Sequence, residues 1–231
     1  MATAPASDPQ RRLLPLLFVL TFNTGLVDAV SYLLLGHVFV ANMTGNIILL
    51  GFSLVGVSDF SLAASVTALL MFGAGAVLGG HLGRNDSAPR RLLGRALLAE
   101  GLLFALAAAP LLHGLTPQDE LVRYWLIVAL GMAMGVQTAM VRLLAIPDLT
   151  TTVLTLTLAG LAADSSLAGG SNPRLGRRLG AVALMLAGAA VGALLALHAS
   201  AVLVLLLALA LLTGTGVAAW RGLDAGGAAR N

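Results

Sequence analysis

Apolar residues run along this chain in eight stretches: 13–35, 38–57, 61–83, 92–113, 121–144, 149–166, 177–197 and 199–219. Most come near or above the about 20 residues that cross a hydrocarbon core as a helix, and none alternates like a transmembrane strand. The gaps are short and rich in turn formers: "GRNDSAPRR" (83–91), "HGLTPQDE" (113–120) and "GGSNPRLGRR" (169–178). The pattern predicts an all-α polytopic membrane protein with a single integral membrane domain over 11–220. A Gly/Ala-rich tail from Arg221 is expected to fray.

The pattern also repeats. A shift of about 110 residues lays the first stretch on the fifth, so that Thr21, Gly25, Asp28 and Tyr32 fall on Gly131, Gly135, Thr138 and Arg142. Both sets follow the spacing of one helix face. The second stretch, with "ANMTGN", falls on the sixth, with "TTTVLTLTL". Gly75 and Gly79 in the third correspond to Gly188 and Gly192 in the seventh, small-xxx-small pairs that let helices approach closely, within a chain or in a homodimer. The chain divides into related halves, 1–115 and 116–231.

Charge then changes the picture. Eight full crossings would make parallel repeats and put Arg84, Arg90, Arg91 and Arg95 outside if Arg11 and Arg12 are inside, against the positive-inside rule. If the second and sixth stretches instead enter and leave on one side, those arginines, Arg142, Arg174, Arg177, Arg178 and Arg221 all face the cytoplasm. Each half then crosses three times and the repeats are inverted. Both termini are expected in the cytoplasm of a cell with this protein in its inner (plasma) membrane.

The two stretches that charge keeps from crossing carry unusual polarity: Asn42, Thr44 and Asn46 in one, Thr151, Thr152 and Thr155 among the threonines of the other. Irregular backbone at membrane depth survives only against protein or a water-filled cavity, and Gly45 is the expected break. Ser and Thr can instead bond back to their own helix, and Asn can hold helices together. The matched placement in two halves favours a central polar site.

Asp28 lies deep in the first stretch, with Thr21, Thr24, Gly25, Ser31 and Tyr32 at helical spacings of three and four. An aspartate at a helix centre costs about 2.5–3.5 kcal/mol to insert, so it faces protein or water. It can carry a proton, bind a cation, or bond neighbouring helices. Gln137 and Thr138, at the matching place in the fifth stretch, are candidate cavity liners. Glu100 is expected to snorkel toward Arg95 or the interface, Asp164 to cap at the interface, and Arg142 to pair with Asp148.

Composition excludes several classes. The chain is 58% hydrophobic and 10% charged, against about 25% charged in a soluble domain. All 13 basic residues are arginines, nearly all in the gaps; they orient helices, and the basic pI of about 10.5 implies no nucleic acid. There is no cysteine, and His37, His81, His113 and His198 have no ligand spacing, so no metal or cofactor is expected. The start, "SDPQRRLLPLLFVL", has a signal-peptide order but runs past Val30 without a cleavage site, and reads as the first membrane helix.

"GLVDAVSYLLLGHVFVANMTGNIILLG" (25–51) and "GMAMGVQTAMVRLLAIPDLTTTVLTLTLAGLAADS" (131–165) resemble the YoaK-like bacterial membrane proteins, the domain of unknown function 1275. The resemblance covers essentially the whole chain and implies an integral inner-membrane protein of this size. It supplies no substrate. Where the family's "TVLTGTL" pattern has glycine, this chain has Leu156, which weakens the expectation of a symmetric break in the second half.

The function expected is a small secondary transporter or permease for a small polar or ionic solute, with Asp28 as the coupling carboxylate. Its site would be drawn from Asp28, Asn42, Thr44, Asn46, Gln137, Thr138, Thr151, Thr152 and Thr155. A membrane scaffold or regulatory subunit is the alternative. An intramembrane hydrolase fits less well: an aspartyl type needs a second carboxylate beside Asp28, and no Gly-x-Ser-x-Gly or His-Glu-x-x-His occurs.

Overall fold

The computed structural model describes residues 8–84, 89–144 and 154–224. Every regular element among the described residues is a helix: α1 (Asp8–Leu34), α2 (Met43–Leu54), α3 (Leu62–Gly83), α4 (Pro89–Leu112), α5 (Glu120–Leu144), α6 (Leu154–Ala163), α7 (Leu175–His198) and α8 (Ala201–Asp224), with a 3₁₀ turn at Ser166–Ala168. Six of these helices are long and apolar enough to cross a membrane; α2 and α6 are not. At about 1.5 Å per residue the 12 residues of α2 reach only partway through an about 30 Å core. The chain is a multi-pass membrane protein. The tail beyond Asp224 lies outside the described residues.

Glycines select which helices pair. A Cβ on Gly75 would fall on the Met132 carbonyl, and one on Gly79 would lie 2.9 Å from the Val136 oxygen, so α3 lies directly against α5. Gly188 and Gly192 likewise meet the backbone of Phe22 and Leu26, seating α7 on α1. From the other side, Gly25 accommodates the Met185 carbonyl and Gly135 the Phe72 carbonyl. These glycines are therefore used inside one chain, and the expected support for a homodimer falls away.

A second set of contacts closes a ring of four helices: α1 packs on α5 and α8, and α4 packs on the same two. Trp125 Nε1 donates to the Leu106 carbonyl at 2.8 Å across α4 and α5. Gly36 lies against Arg123, and Gln137 Nε2 donates to Thr24 Oγ1 at 2.9 Å. The end of α1 thus meets the start of α5, and the two run antiparallel.

The second apolar stretch (38–57) holds a shorter helix than its composition suggests. Gly36 at φ 89° and His37 at φ 58° end α1 in the left-handed region. The His37 N–H donates back to the Tyr32 carbonyl at 3.2 Å, the six-to-one bond of a Schellman turn. The chain then runs back along α1 before α2 begins at Met43. The His37 ring lies 3.2 Å from the Asp59 carbonyl and packs edge-on to Phe60, so the segment between them leaves and returns at one end of the bundle. Gly45 is not the break. It sits in the first turn of α2, where a Cβ would lie 2.7 Å from the Phe39 ring.

Candidate functional site

A cavity of about 140 Å³ opens where the two short elements approach the long helices. Its lining comes from Thr24 and Asp28 of α1, Ala41 and Asn42 of the returning segment, Leu154 and Thr155 of α6, and Met185 of α7. Both halves of the chain contribute.

Asp28 is nearly buried. Its Oδ1 accepts the N–H of Val40 at 3.0 Å and of Ala41 at 2.8 Å. These two backbone donors precede α2, where no helix bond can take them, and the carboxylate supplies the acceptor that hydrocarbon lacks. The same charge sits near the N-terminal end of α2, which favours an anion. Both bonds fall on Oδ1, the Asn42 N–H is a third backbone donor to the carboxyl, and the side chain lines the cavity. Asn42 caps α2, its Oδ1 accepting the Gly45 N–H at 3.4 Å. Thr24 Oγ1 donates to the Leu20 carbonyl and accepts from Gln137.

Of the nine candidate residues, Asp28, Asn42 and Thr155 line one cavity. Asn46 does not. It is fully buried and clamps the returning chain: Oδ1 accepts the Phe39 N–H at 2.8 Å, and Nδ2 donates to the Phe39 carbonyl at 2.6 Å. An amide is needed there because Phe39 presents both a donor and an acceptor outside any helix. Thr44 is exposed on the surface of α2. Gln137 reaches the cavity's edge through Thr24, and Thr138, whose hydroxyl is buried without a partner among the described residues, is not among the lining residues. Thr151, Thr152 and Asp148 lie outside the described residues.

Two further expectations are corrected. Asp164 forms an ion pair with Arg178 at 2.7 Å, joining α6 to the first turn of α7, instead of capping alone. Glu100 does not snorkel: its residue is fully buried and neither carboxylate oxygen has a partner among the described residues. Sequence reasoning missed the backbone donors of Val40 and Ala41, since a reversed chain leaves no mark in side-chain periodicity. The signal was Gly36, which lies where α1 must turn.

Replacing Asn46 by alanine is expected to orphan both Phe39 groups and cost about 3 kcal/mol, at about 1–3 kcal/mol per buried unpaired group. Thermal unfolding in detergent checks this. Asn46→Asp, which keeps the acceptor and loses the donor, should fall between the two.

Residues 16–218 match the model of a family described as "Protein of unknown function (DUF1275)". The chain is 35% identical over 154 residues to the UPF0700 transmembrane protein YoaK of Bacillus subtilis (strain 168), a match that covers 65% of this chain and 66% of that relative. No solved structure matches at a significant level.

Proposed function

This chain belongs to the DUF1275 family of membrane proteins, and from that premise we propose that it is a small secondary transporter or permease whose substrate is a small ion or polar solute. The observation that carries the reading is the cavity at Asp28. It joins a carboxylate, an amide and hydroxyls at the meeting of both halves, beside backbone that is irregular within a membrane helix bundle. Such backbone is tolerated where it lines a pathway or is held by protein, and substrate sites of transporters gather there. At about 140 Å³ the space is far below the about 300–1,000 Å³ of drug-sized pockets, which restricts the occupant to a few heavy atoms. Asp28 serves as the coupling carboxylate, while its Oδ1 also holds the returning chain.

Inverted halves follow from the same reading. Exchanging them turns the α1–α7 contact into α5–α3, α1–α8 into α5–α4, and α2–α3 into α6–α7, and all of these contacts occur. Antiparallel α1 and α5 agree with three crossings per half. The protein sits in the inner membrane with its arginine clusters and both termini in the cytoplasm, and no enzymatic chemistry is assigned to it.

The absence of native cysteine makes this testable. In a cell, Ser171→Cys is expected to react only with a reagent that reaches the cytoplasm, and Gln118→Cys with an impermeant reagent outside. Labelling of Ser171→Cys by the impermeant reagent in intact cells would refute the orientation. The transport reading is tested by proteoliposome flux of Na⁺, K⁺ and protons in the wild type and in Asp28→Asn.

A further inference from the structure

The α4–α8 pair carries a groove on its outer face, apart from the Asp28 cavity. It measures about 530 Å³ and lies between Gly94, Leu98 and Gly101 of α4 and Leu209, Thr213 and Gly216 of α8. A second hollow shares Leu209 and Thr213 with it and runs on over Ala210 and Gly214. Gly101 meets Leu209 and Gly216 meets Leu97, so the two helices run antiparallel and the start of α4 stands beside the end of α8.

The glycines here do not bring helices together. Gly75 and Gly188 admit a neighbouring backbone, but a Cβ on Gly94 or Gly214 would meet nothing within 4 Å, and one on Gly101 or Gly216 would touch only a leucine tip at 3.9 Å. Each glycine inside a helix costs about 1 kcal/mol relative to alanine. What these four share is the hollow they leave along one helix pair. Its walls are apolar: the Thr213 hydroxyl donates back to the Leu209 carbonyl at 2.8 Å, and α8 has no ionisable residue from Ala201 to Ala219. At about 1.5 Å per residue the lining runs about 12 Å along α4, from Gly94 to Leu102, and about 18 Å along α8, from Leu206 to Ala218. One leaflet is about half of an about 30 Å core, so the hollow has the length of a single leaflet.

Charge marks one end of it. Arg91 and Arg95 of α4 are exposed. Arg91 stands three residues before Gly94 and seven before Leu98, and Arg95 stands three before Leu98 and seven before Leu102, so both share the face of α4 that borders the groove. Side chains lean toward their own helix N-terminus, which carries both guanidinium groups toward the start of α4, where the groove ends. That N-terminal end is itself partly positive and has no acidic residue in its first turn. Glu100, the acidic residue of α4, is buried in the bundle. Both arginines also interact within the protein, but a guanidinium has five N–H donors and can take a phosphate as well.

We propose that this groove binds one anionic phospholipid, with its phosphate on Arg91 and Arg95 and one acyl chain laid between α4 and α8. An apolar trough one leaflet long with two arginines at its end complements an amphiphile with a negative head. A second copy of this chain fits less well. Two copies facing each other across a two-fold axis along the membrane normal would bring both arginine pairs together at one depth, like charge against like. A phospholipid brings the opposite charge to the same place.

Native mass spectrometry of the full chain tests this, in nanodiscs of phosphatidylglycerol and phosphatidylethanolamine in equal parts. The wild type is expected to retain one phosphatidylglycerol with a preference of at least about fivefold, the factor that one arginine contributes near an anionic headgroup. Arg91→Gln combined with Arg95→Gln should bring the two lipids to the ratio supplied. Gly94→Leu should lower retention of both, because its side chain occupies the groove. Circular dichroism checks that each variant keeps its helices. Equal retention of the two lipids by the wild type overturns the proposal, as does a preference that survives loss of both arginines, or unchanged retention in folded Gly94→Leu. A dimer mass that Gly94→Leu abolishes would give the groove to a second copy and also overturns it. Should Gly94→Leu lose its helices, the wild-type ratio and the arginine variants decide. None of these results depends on whether the Asp28 cavity carries a solute.

Discussion

Asp28→Asn is expected to reduce cation or proton flux at least about 100-fold while the protein still folds. The physical basis is that one carboxylate does two things: it accepts backbone N–H groups and it places a negative charge at the cavity. Oδ1 accepts the N–H groups of Val40 and Ala41, and the asparagine carbonyl can accept the same two. The loss is that of a charge-assisted bond turned neutral, about 1–2 kcal/mol. The cavity, in contrast, loses its negative charge. A unit charge pair at 4 Å in an effective dielectric of 20 is worth about 4 kcal/mol, or roughly 1,000-fold in cation affinity. Asp28→Leu should behave differently: both backbone donors are orphaned, and at about 1–3 kcal/mol each the returning segment detaches or the protein misfolds. Flux and melting temperature, measured on the same proteoliposome preparations, separate the two tasks. Normal flux in a folded Asp28→Asn protein would reduce Asp28 to a pin for the loop before α2, and the scaffold reading would then be the better one.

How far the sequence could foresee this follows from which interactions leave a periodic trace. The six long helices were legible because a membrane span needs a long apolar run; the placement of four arginines led to the second stretch being read as not crossing, and the structure has there only the 12-residue α2. Asp28 and Asn42 stood out through the cost of polarity in hydrocarbon, and both line the cavity. Asn46 stood out for the same reason but answers a different need, a backbone pair at Phe39 that only a reversed chain exposes. The sequence shows that an amide is present, not which backbone it satisfies. Gly45 was misread for a related reason: glycine marks either a break or a close approach, and here the approach is the Phe39 ring. Glu100 looked interfacial because it lies about two turns past the start of the fourth apolar stretch, where a charged side chain can lean toward the interface. The packing of α5 and α8 on that face closed the route.

The glycines of the two helix pairs give the other large expected effect. Gly75→Ala would set a methyl group on the Met132 carbonyl, and Gly188→Ala would set one on the Phe22 carbonyl. Backbone cannot rotate aside as a side chain tip can, so the paired helices must separate along their length. Overpacking costs about 1–3 kcal/mol and more where backbone is involved; here a loss of at least about 3 kcal/mol, or failure to accumulate folded protein, is expected from either change. Gly73 in α3 is the control, because a Cβ there meets nothing within 4 Å. Relieved of glycine's backbone entropy, Gly73→Ala should be neutral or gain up to about 1 kcal/mol. The comparison also bears on the relation between the halves. Gly75 of α3, packed against α5, and Gly188 of α7, packed against α1, hold corresponding places, so their alanine variants should lose similar stability in the same detergent. A large loss at one and none at the other would show that the two helix pairs do not carry equal weight, and would remove the energetic counterpart of the repeat.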